Sequence, residues 1–193
     1  MTKKQIIRLT EGDLHRIIKE SVKNILKESQ EFTLDNNWDE LTAEINERLS
    51  NGEDPNDIFD YVSNFLNGFA CVKLNNKWNL INTKGQLLTN QWFDKADIIN
   101  QYGVTTVYIK GKGYTFLNAD GQYITNQWFD DCGRFFDGCA SVYLKDKGWN
   151  FINTRGRLLS NQWFEAVHDF YDGIGAVYIN GTWKEIGKNG KIY

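Results

Sequence analysis

Asn126-Gln127-Trp128-Phe129-Asp130 is the stretch that decides the fold, because nearly the same five residues occur three times. They stand upstream as Asn90-Gln91-Trp92-Phe93-Asp94 and downstream as Asn161-Gln162-Trp163-Phe164-Glu165. The tryptophans of successive copies are 36 and then 35 residues apart. A period of this length is typical of supersecondary units that stack on one another. The second half of the chain is therefore predicted to be a tandem repeat.

Glycines and valines keep the same period around these copies. Successive members of each set are 35 residues apart, and the sets are Gly68, Gly103, Gly138 and Gly173, and Val72, Val107, Val142 and Val177. The residues around each valine alternate between apolar and polar or small types, as in Ala140-Ser141-Val142-Tyr143-Leu144. This period of two predicts a β-strand with one buried face.

A second strand is predicted to begin at Trp78, Tyr114, Trp149 and Trp183. The linkers Asn75-Asn76 and Asn180-Gly181 suit two-residue hairpin turns with positive φ at both residues. Residues 110–113 and 145–148 carry one residue more, with a glycine suited to a β-bulge. A one-residue insertion is thus expected to be absorbed in a turn, which keeps the strand faces in register.

Each predicted unit continues with an Asn-x-x-Gly turn, at 82–85, 118–121 and 153–156. A third strand, such as 86–89, and an aromatic connector then lead to the next glycine. A three-stranded meander of this size cannot bury its own apolar face and must stack on its neighbours. We therefore expect a mainly β fold of about 35-residue meander units over residues 68–193, preceded by α-helices. An open stack is favoured over a closed ring.

The sequence resembles the WG-repeat (KWG) family over residues 68–193. The resemblance rests on the order of Gly-x-Ala-x-Val-Tyr, a Trp-led strand, Asn-x-x-Gly and an aromatic connector. One departure is that the glycine that follows the family's Trp is here Asn79, Thr115, Asn150 or Lys184. The resemblance implies a β-rich bacterial repeat protein that acts as a binding scaffold.

Residues 1–30 are predicted to form an amphipathic helical segment. Its apolar stripe consists of residues at helical spacing, namely Leu14, Ile17, Ile18, Val22 and Ile25. The stripe is expected to pack against the repeats or a second copy, to dock into another protein, or to lie on a membrane surface. Residues 7–22 are similar to N-terminal segments of small proteins from gut Bacteroidales and their crAss-like phages, which implies a portable docking tag.

Residues 31–67 are interpreted as a degenerate half repeat whose connector has expanded into two helices. The first covers 39–50 and ends at Asn51-Gly52. The second begins after the N-cap Asp54 with Pro55 at its first turn and runs to Asn67-Gly68. Both helices are expected to cap the apolar end of the stack.

Composition excludes several classes of protein. The chain has 193 residues and a net charge of −3, which argues against non-specific nucleic-acid binding. Three cysteines without a Cys-x-x-Cys pair indicate free thiols of a reducing compartment. No apolar run approaches the length of a membrane span. We expect a bacterial cytoplasmic protein, or alternatively a component of a phage virion.

Two repeated residue sets are candidates for binding. Trp92, Trp128 and Trp163 are expected in the core or, alternatively, as an exposed aromatic ladder for sugars or extended peptides. Asp94, Asp130 and Glu165 are expected to accept hydrogen bonds from a following turn, rather than to bind cations or act as acid and base. Neither His15 nor His168 has a catalytic or metal-ligand pattern around it. The sequence predicts a non-enzymatic scaffold that binds a protein partner and uses no cofactor; the alternative is a carbohydrate-binding module.

Overall fold

The computed structural model describes residues 38–193. Leu41–Tyr193 forms one compact unit, whereas Trp38–Glu40 belong to the preceding unit. The predicted N-terminal helix and its docking residues, Leu14 to Ile25, lie outside the described part of the chain. Within that part, no helix has the length and apolarity needed to cross a membrane.

Two helices precede the first repeat. The helix α1 (Trp38–Ser50) confirms the prediction for 39–50 and buries Thr42, Ile45 and Leu49. The helix α2 (Pro55–Ile58) begins as predicted, with the side chain of Asp54 accepting a hydrogen bond from the Asn56 N–H.

The predicted length of the second helix is wrong. α2 has only four residues and ends where Phe59 turns extended, with ψ of 151°. Tyr61 and Val62 instead pair with Lys73 and Val72 as a strand. Tertiary pairing with the first hairpin thus overrides the helical spacing of the apolar residues in this segment.

The rest of the chain forms four antiparallel three-stranded sheets, which confirms the predicted fold class. Within each sheet, consecutive strands are neighbours. Their bounds are β1 Tyr61–Val62, β2 Phe69–Leu74, β3 Lys77–Asn82, β4 Lys95–Ala96, β5 Val104–Ile109, β6 Gly113–Asn118, β7 Asp131–Cys132, β8 Cys139–Leu144, β9 Gly148–Asn153, β10 Ala166–Tyr171, β11 Ile174–Ile179 and β12 Thr182–Gly187.

The third strand of each meander is not the predicted one. Residues 86–89 form only an isolated bridge between Ile81 and Leu87, and the first strand of each sheet comes from the preceding connector. Beyond this bridge, the carbonyls of Thr89 and Gln91 accept hydrogen bonds from the Asn79 side chain.

The predicted turns are confirmed. Asn75, Asn76, Asn180 and Gly181 all have positive φ, as two-residue hairpin turns of this type require. In the Asn-x-x-Gly turns, the asparagine side chain accepts hydrogen bonds from later backbone N–H groups; the Asn82 Oδ1, for example, accepts from residues 84 and 86. The turn chemistry therefore follows from local sequence alone.

Apolar layers between successive sheets form the core. The layer between the third and fourth sheets contains Phe151 from β9, Phe170, Val177 and Ile186 from the next sheet, and Phe164 from the connection between them. The layer between the second and third sheets is built alike, around Phe116, Phe129, Phe135, Val142 and Ile152. Each sheet therefore depends on its neighbour for burial, as expected for stacked repeats.

The two ends of the stack differ in chemistry. At the first repeat, the Trp92 Nε1–H donates to the Thr42 hydroxyl of α1 at 2.9 Å. At the fourth sheet, Glu185 occupies the position that Leu80, Phe116 and Phe151 fill in the other sheets, and its side chain is exposed. The outward face of the fourth sheet is therefore more polar than those of the other three.

Candidate functional site

The three repeated tryptophans lie against the stacked sheets. Trp92 is buried, with 7% of its surface exposed, between the Phe59 ring and α1. Trp128 and Trp163 are half-buried, and the ammonium groups of Lys112 and Lys147 lie 5.6 Å from their ring centroids. These rings therefore present no row of open faces to solvent.

The repeated carboxylates bond to hairpin turns. The Asp94 Oδ2 accepts the Lys110 N–H at 2.7 Å, and the Asp130 Oδ2 accepts the Lys145 N–H at 2.7 Å. The Lys77 ammonium also lies 2.7 Å from the Asp94 Oδ1. Both contacts lower the pKa of Asp94. The bond from the Lys77 ammonium has the largest effect, and the bond from the Lys110 N–H has the next largest. Glu165 is exposed, and its backbone N–H donates to the Tyr178 carbonyl.

A buried asparagine holds the loop that carries each tryptophan. The Asn150 Nδ2 donates to the carbonyls of Ser160 and Gln162 at 2.8 and 3.1 Å, while its Oδ1 accepts the Phe151 N–H. Asn79 makes the same three bonds in the first repeat. The asparagine that stands where the family has glycine thus fixes the repeated Asn-Gln-Trp-Phe stretch to the neighbouring strand.

A second aromatic set lies on the hairpins and was not identified from the sequence. Strand-opening aromatic residues pair with tyrosines directly across the ladder, as in Tyr143 with Trp149 and Tyr178 with Trp183, whose ring centroids are 5.0 and 5.3 Å apart. Trp183 is 45% exposed and stacks on His168 at 4.4 Å. The cross-strand register implied by the short turns could have revealed these pairs.

The edge formed by the connectors exposes apolar side chains, which we call the connector edge. It consists of the residues just before the repeated glycines, and its exposed members are Phe65, Leu66, Phe136 and Tyr171. Phe136 is 47% and Tyr171 86% exposed. The sequence predicted Phe136 and Tyr171 only as parts of aromatic connectors, and Phe65 and Leu66 as part of a helix. Burial of one residue, such as Phe135, and exposure of the next depend on the turn geometry.

Two cavities lie side by side on the connector edge and share Phe136. One, of about 360 Å³, is lined among others by Asp97, Arg134 and Phe135. The other, of about 410 Å³, is lined by Phe136, Asp137, Phe170, Tyr171 and Asp172. The connectors are held together here, since the Asp137 carboxylate accepts the Gly173 N–H and lies 3.6 Å from the Lys188 ammonium.

The cysteines of the described chain are buried or half-buried. Cys71, Cys132 and Cys139 are free thiols. Burial raises their pKa to about 11, about 12 and about 11, so little thiolate forms at neutral pH. Among residues 38–193, no group of three or more His, Cys, Asp and Glu side chains could hold a metal ion.

A family model described as "WG containing repeat" matches residues 58–78 and 149–183. The predicted resemblance to the WG-repeat family is confirmed. The first WG match runs from the end of α2 to Trp78, and the second runs from Trp149 to Trp183, so each covers a connector and the hairpin strand that follows it. No curated protein matches the chain.

Several solved structures are similar to part of this chain. The computationally designed Ika4 protein is 14% identical over 65% of this chain and 88% of its own, with a TM-score of 0.38. KlHsv2 with loop 6CD replaced by a Gly-Ser linker is 11% identical over 65% of this chain and 46% of its own, with a TM-score of 0.40. The WD40 β-propeller domain of Doa1 is 13% identical over 70% of this chain and 52% of its own, with a TM-score of 0.32. The chain thus spans about half the length of the last two, and these likenesses concern the fold alone.

Proposed function

We propose that this protein is a non-enzymatic scaffold that binds a polypeptide partner at the connector edge. The observation that carries the proposal is the exposure of Phe136 and Tyr171 beside two adjoining cavities. Large aromatic side chains cost free energy when they are left in water, and protein interfaces are enriched in them. Clustered exposure next to concave surface therefore supports a binding role.

The charges around the connector edge favour a particular chemistry in the partner. Asp97 and Asp172 are exposed beside the cavities, and Asp137 lies half-buried between them. Arg134 and Lys188 supply fewer positive charges to the same edge. Electrostatic complementarity then favours a segment that combines an aromatic or aliphatic anchor with lysine or arginine.

Selection from a library of displayed random peptides tests this proposal. We expect enrichment of peptides with an apolar anchor and flanking basic residues. Their binding should fall at least about tenfold in Phe136→Ala and Tyr171→Ala, as expected for loss of an aromatic anchor. Tyr123→Ala is the matched control, because Tyr123 is 41% exposed outside the connector edge. Peptides that bind all three variants like the parent protein would contradict the proposal.

A carbohydrate-binding function is the second candidate, and Trp183 is the residue that favours it. Its exposed ring, stacked on His168 beside Tyr178, offers a flat aromatic platform. Trp92, Trp128 and Trp163 support this alternative less, because they are buried or lie under lysines. A glycan array should show binding that Trp183→Ala removes; an array without any hit would reject this candidate.

The N-terminal segment adds a separate prediction, since residues 1–30 resemble a docking tag that could direct the repeats to a host or virion component. Affinity capture with full-length protein and with a chain that starts at Glu31 tests it. A partner lost on truncation would support the tag. A partner that stays would assign binding to the repeats.

A further inference from the structure

Two consecutive connectors end in the same four residue types. Phe135-Phe136-Asp137-Gly138 and Phe170-Tyr171-Asp172-Gly173 both consist of two aromatic residues, an aspartate and a glycine, and they stand 35 residues apart. The corresponding residues of the earlier connectors are Phe65-Leu66-Asn67-Gly68 and Asn100-Gln101-Tyr102-Gly103, which contain no carboxylate. The third and fourth connectors therefore bring negative charge and additional aromatic rings to one part of the connector edge.

The backbone of these turns does not require the negative charge. Asp137 and Asp172 have φ of 55° and 50°, a left-handed conformation that aspartate and asparagine adopt more readily than most residues with a side chain. Asn67 has φ of 51° at the equivalent turn of the first repeat. Because asparagine satisfies the same turn without a charge, the two carboxylates are free to serve another purpose.

The cavity of about 410 Å³ on the connector edge lies between these two turns. Its lining residues come from both turns and are Phe136, Asp137, Phe170, Tyr171 and Asp172. The Phe170 ring is held in the core, edge-on to Phe151 with 4.9 Å between the ring centroids. The Asp137 carboxylate accepts the Gly173 N–H, which ties one turn to the other. The fold thus holds three aromatic rings and two carboxylates around one cavity.

We propose that this cavity binds the methylated ammonium group of a lysine side chain. The inference rests on the proposed function, and it names the residue of the polypeptide partner that the connector edge would recognise. The face of an aromatic ring attracts a cation, and a nearby carboxylate adds direct attraction between opposite charges. The methyl groups would contact the exposed rings of Phe136 and Tyr171, while the exposed Asp172 would supply the negative charge.

The surroundings of Asp137 favour this group over the guanidinium of arginine. Arginine pairs best with a carboxylate whose two oxygens are both open to it. One oxygen of Asp137 accepts the Gly173 N–H, and the other lies 3.6 Å from the Lys188 ammonium. Bidentate pairing at Asp137 is therefore blocked.

The aromatic walls favour a methylated ammonium over an unmodified one. The ammonium group of unmodified lysine is strongly hydrated and carries three N–H donors. Against the ring carbons of Phe136 and Tyr171, these donors would lose water without gaining acceptors, which costs free energy. N-methyl groups need no acceptor, so they suit a cavity whose walls are mainly aromatic.

The test uses the full chain and three small compounds, with binding followed by NMR. They are Nα-acetyl-trimethyllysine amide, the same compound without its N-methyl groups, and a neutral isostere with carbon in place of the ammonium nitrogen. We expect saturable binding of the trimethylated compound, with shifts at the ring protons of Phe136 and Tyr171. The neutral isostere keeps the shape but loses the charge, so it should bind at least about tenfold more weakly. The unmethylated compound should also bind more weakly.

Two variants test the roles of the carboxylate and the ring. Asp172→Asn removes the charge but keeps a residue type that suits the turn, as Asn67 shows; it should weaken binding of the trimethylated compound by at least about threefold and leave the neutral isostere unaffected. Tyr171→Leu keeps an apolar side chain without the ring and should reduce the preference for the charged compound. Asp146→Asn is the matched control, because Asp146 is exposed in the hairpin turn between β8 and β9.

Equal affinity for the charged and the neutral compound would overturn the proposal, and so would shifts centred on Trp183. Library peptides that bind at Phe136 and Tyr171, but no better when their lysine is trimethylated, would also overturn it and leave the proposed function standing. Charge-selective binding of the small compound, with no gain when trimethyllysine is placed in a peptide, would support the cation site and contradict a polypeptide partner.

Discussion

Asn150 shows at the scale of one residue how the repeat departs from the WG-repeat pattern that it resembles. A glycine at this position would leave the Ser160 and Gln162 carbonyls without the donors that the Asn150 amide supplies. A buried carbonyl without a donor costs about 1–3 kcal/mol. The asparagine therefore stabilises the loop that inserts Phe164 into the core.

Replacing this asparagine should destabilise the protein. We expect Asn150→Ala to lower the free energy of unfolding by about 1–3 kcal/mol, because three backbone groups lose their partner. Lys184→Ala is the matched control, since Lys184 occupies the same repeat position but is exposed, and it should change stability by less than about 0.5 kcal/mol. Urea unfolding measures both; equal effects would contradict the role of the amide.

Asp94 should make stability depend on pH. Its pKa in the folded protein lies below the ordinary 3.8, first because of the bond from Lys77. The stabilisation is therefore fully present above the ordinary pKa and is lost as the pH falls through the folded pKa. Asp94→Asn should lower stability near neutral pH by up to about 1 kcal/mol, with the deficit disappearing in acid.

Urea unfolding from about pH 7 to about pH 3 measures this effect. Asp120→Asn is the control, because Asp120 lies in an exposed turn. A deficit that persists unchanged at the lowest pH would mean that the carboxylate charge is not responsible.

At the scale of the element, the Asn-x-x-Gly turn of one repeat rests on the backbone of the repeat before it. A Cβ at Gly156 would lie 1.6 Å from the Ile124 carbonyl oxygen, and one at Gly121 would lie 2.1 Å from that of Leu88. Gly85, in the first repeat, has the same positive φ but nothing within 4 Å. Close approach between repeats, not only turn conformation, therefore requires glycine in the later turns.

Two alanine substitutions separate the effect of the positive φ from that of the close contact between repeats. Gly85→Ala should destabilise by about 1–2 kcal/mol through its positive φ alone. Gly156→Ala should cost about 1–3 kcal/mol more, because the Ile124 backbone must move away. Thermal unfolding of the two variants measures the difference. Equal melting temperatures would show that the repeats can shift apart without cost.

At the scale of the whole molecule, Glu185 sets the chemistry of the outward face of the fourth sheet. The outward face of each of the first three sheets is buried by the next sheet, whereas that of the fourth presents Glu185 and the exposed Ile174. A charged residue at the centre of this face opposes the addition of a further layer, since burying it without a partner is costly. Glu185 thus opposes self-association through this face.

Replacing that charge should let molecules associate. Glu185→Phe restores the residue type found at Phe116 and Phe151, so we expect concentration-dependent dimers or larger species in sedimentation velocity experiments. Asp120→Phe adds the same side chain to an exposed turn and serves as the control. If both variants sediment like the parent protein, the outer face does not control assembly.

Much of the fold follows from local sequence. The period of the glycines and valines determines the number of units, and Asn75-Asn76, Asn180-Gly181 and the Asn-x-x-Gly motifs determine their turns, because backbone conformation at these residues depends on near neighbours. The start of α2 follows from Asp54 and Pro55 for the same reason. The carboxylates of Asp94 and Asp130 accept hydrogen bonds from hairpin turns, which is the role that the sequence favoured for them.

Tertiary structure decided the features that depend on residues far apart in the chain. Tyr61 and Val62 became a strand rather than helix because β2 offered them a partner, and residues 86–89 form a single bridge instead of a full strand. The connector edge emerged in the same way. Exposure at these sites depends on how neighbouring repeats cover one another, and local patterns of apolar residues do not encode that coverage.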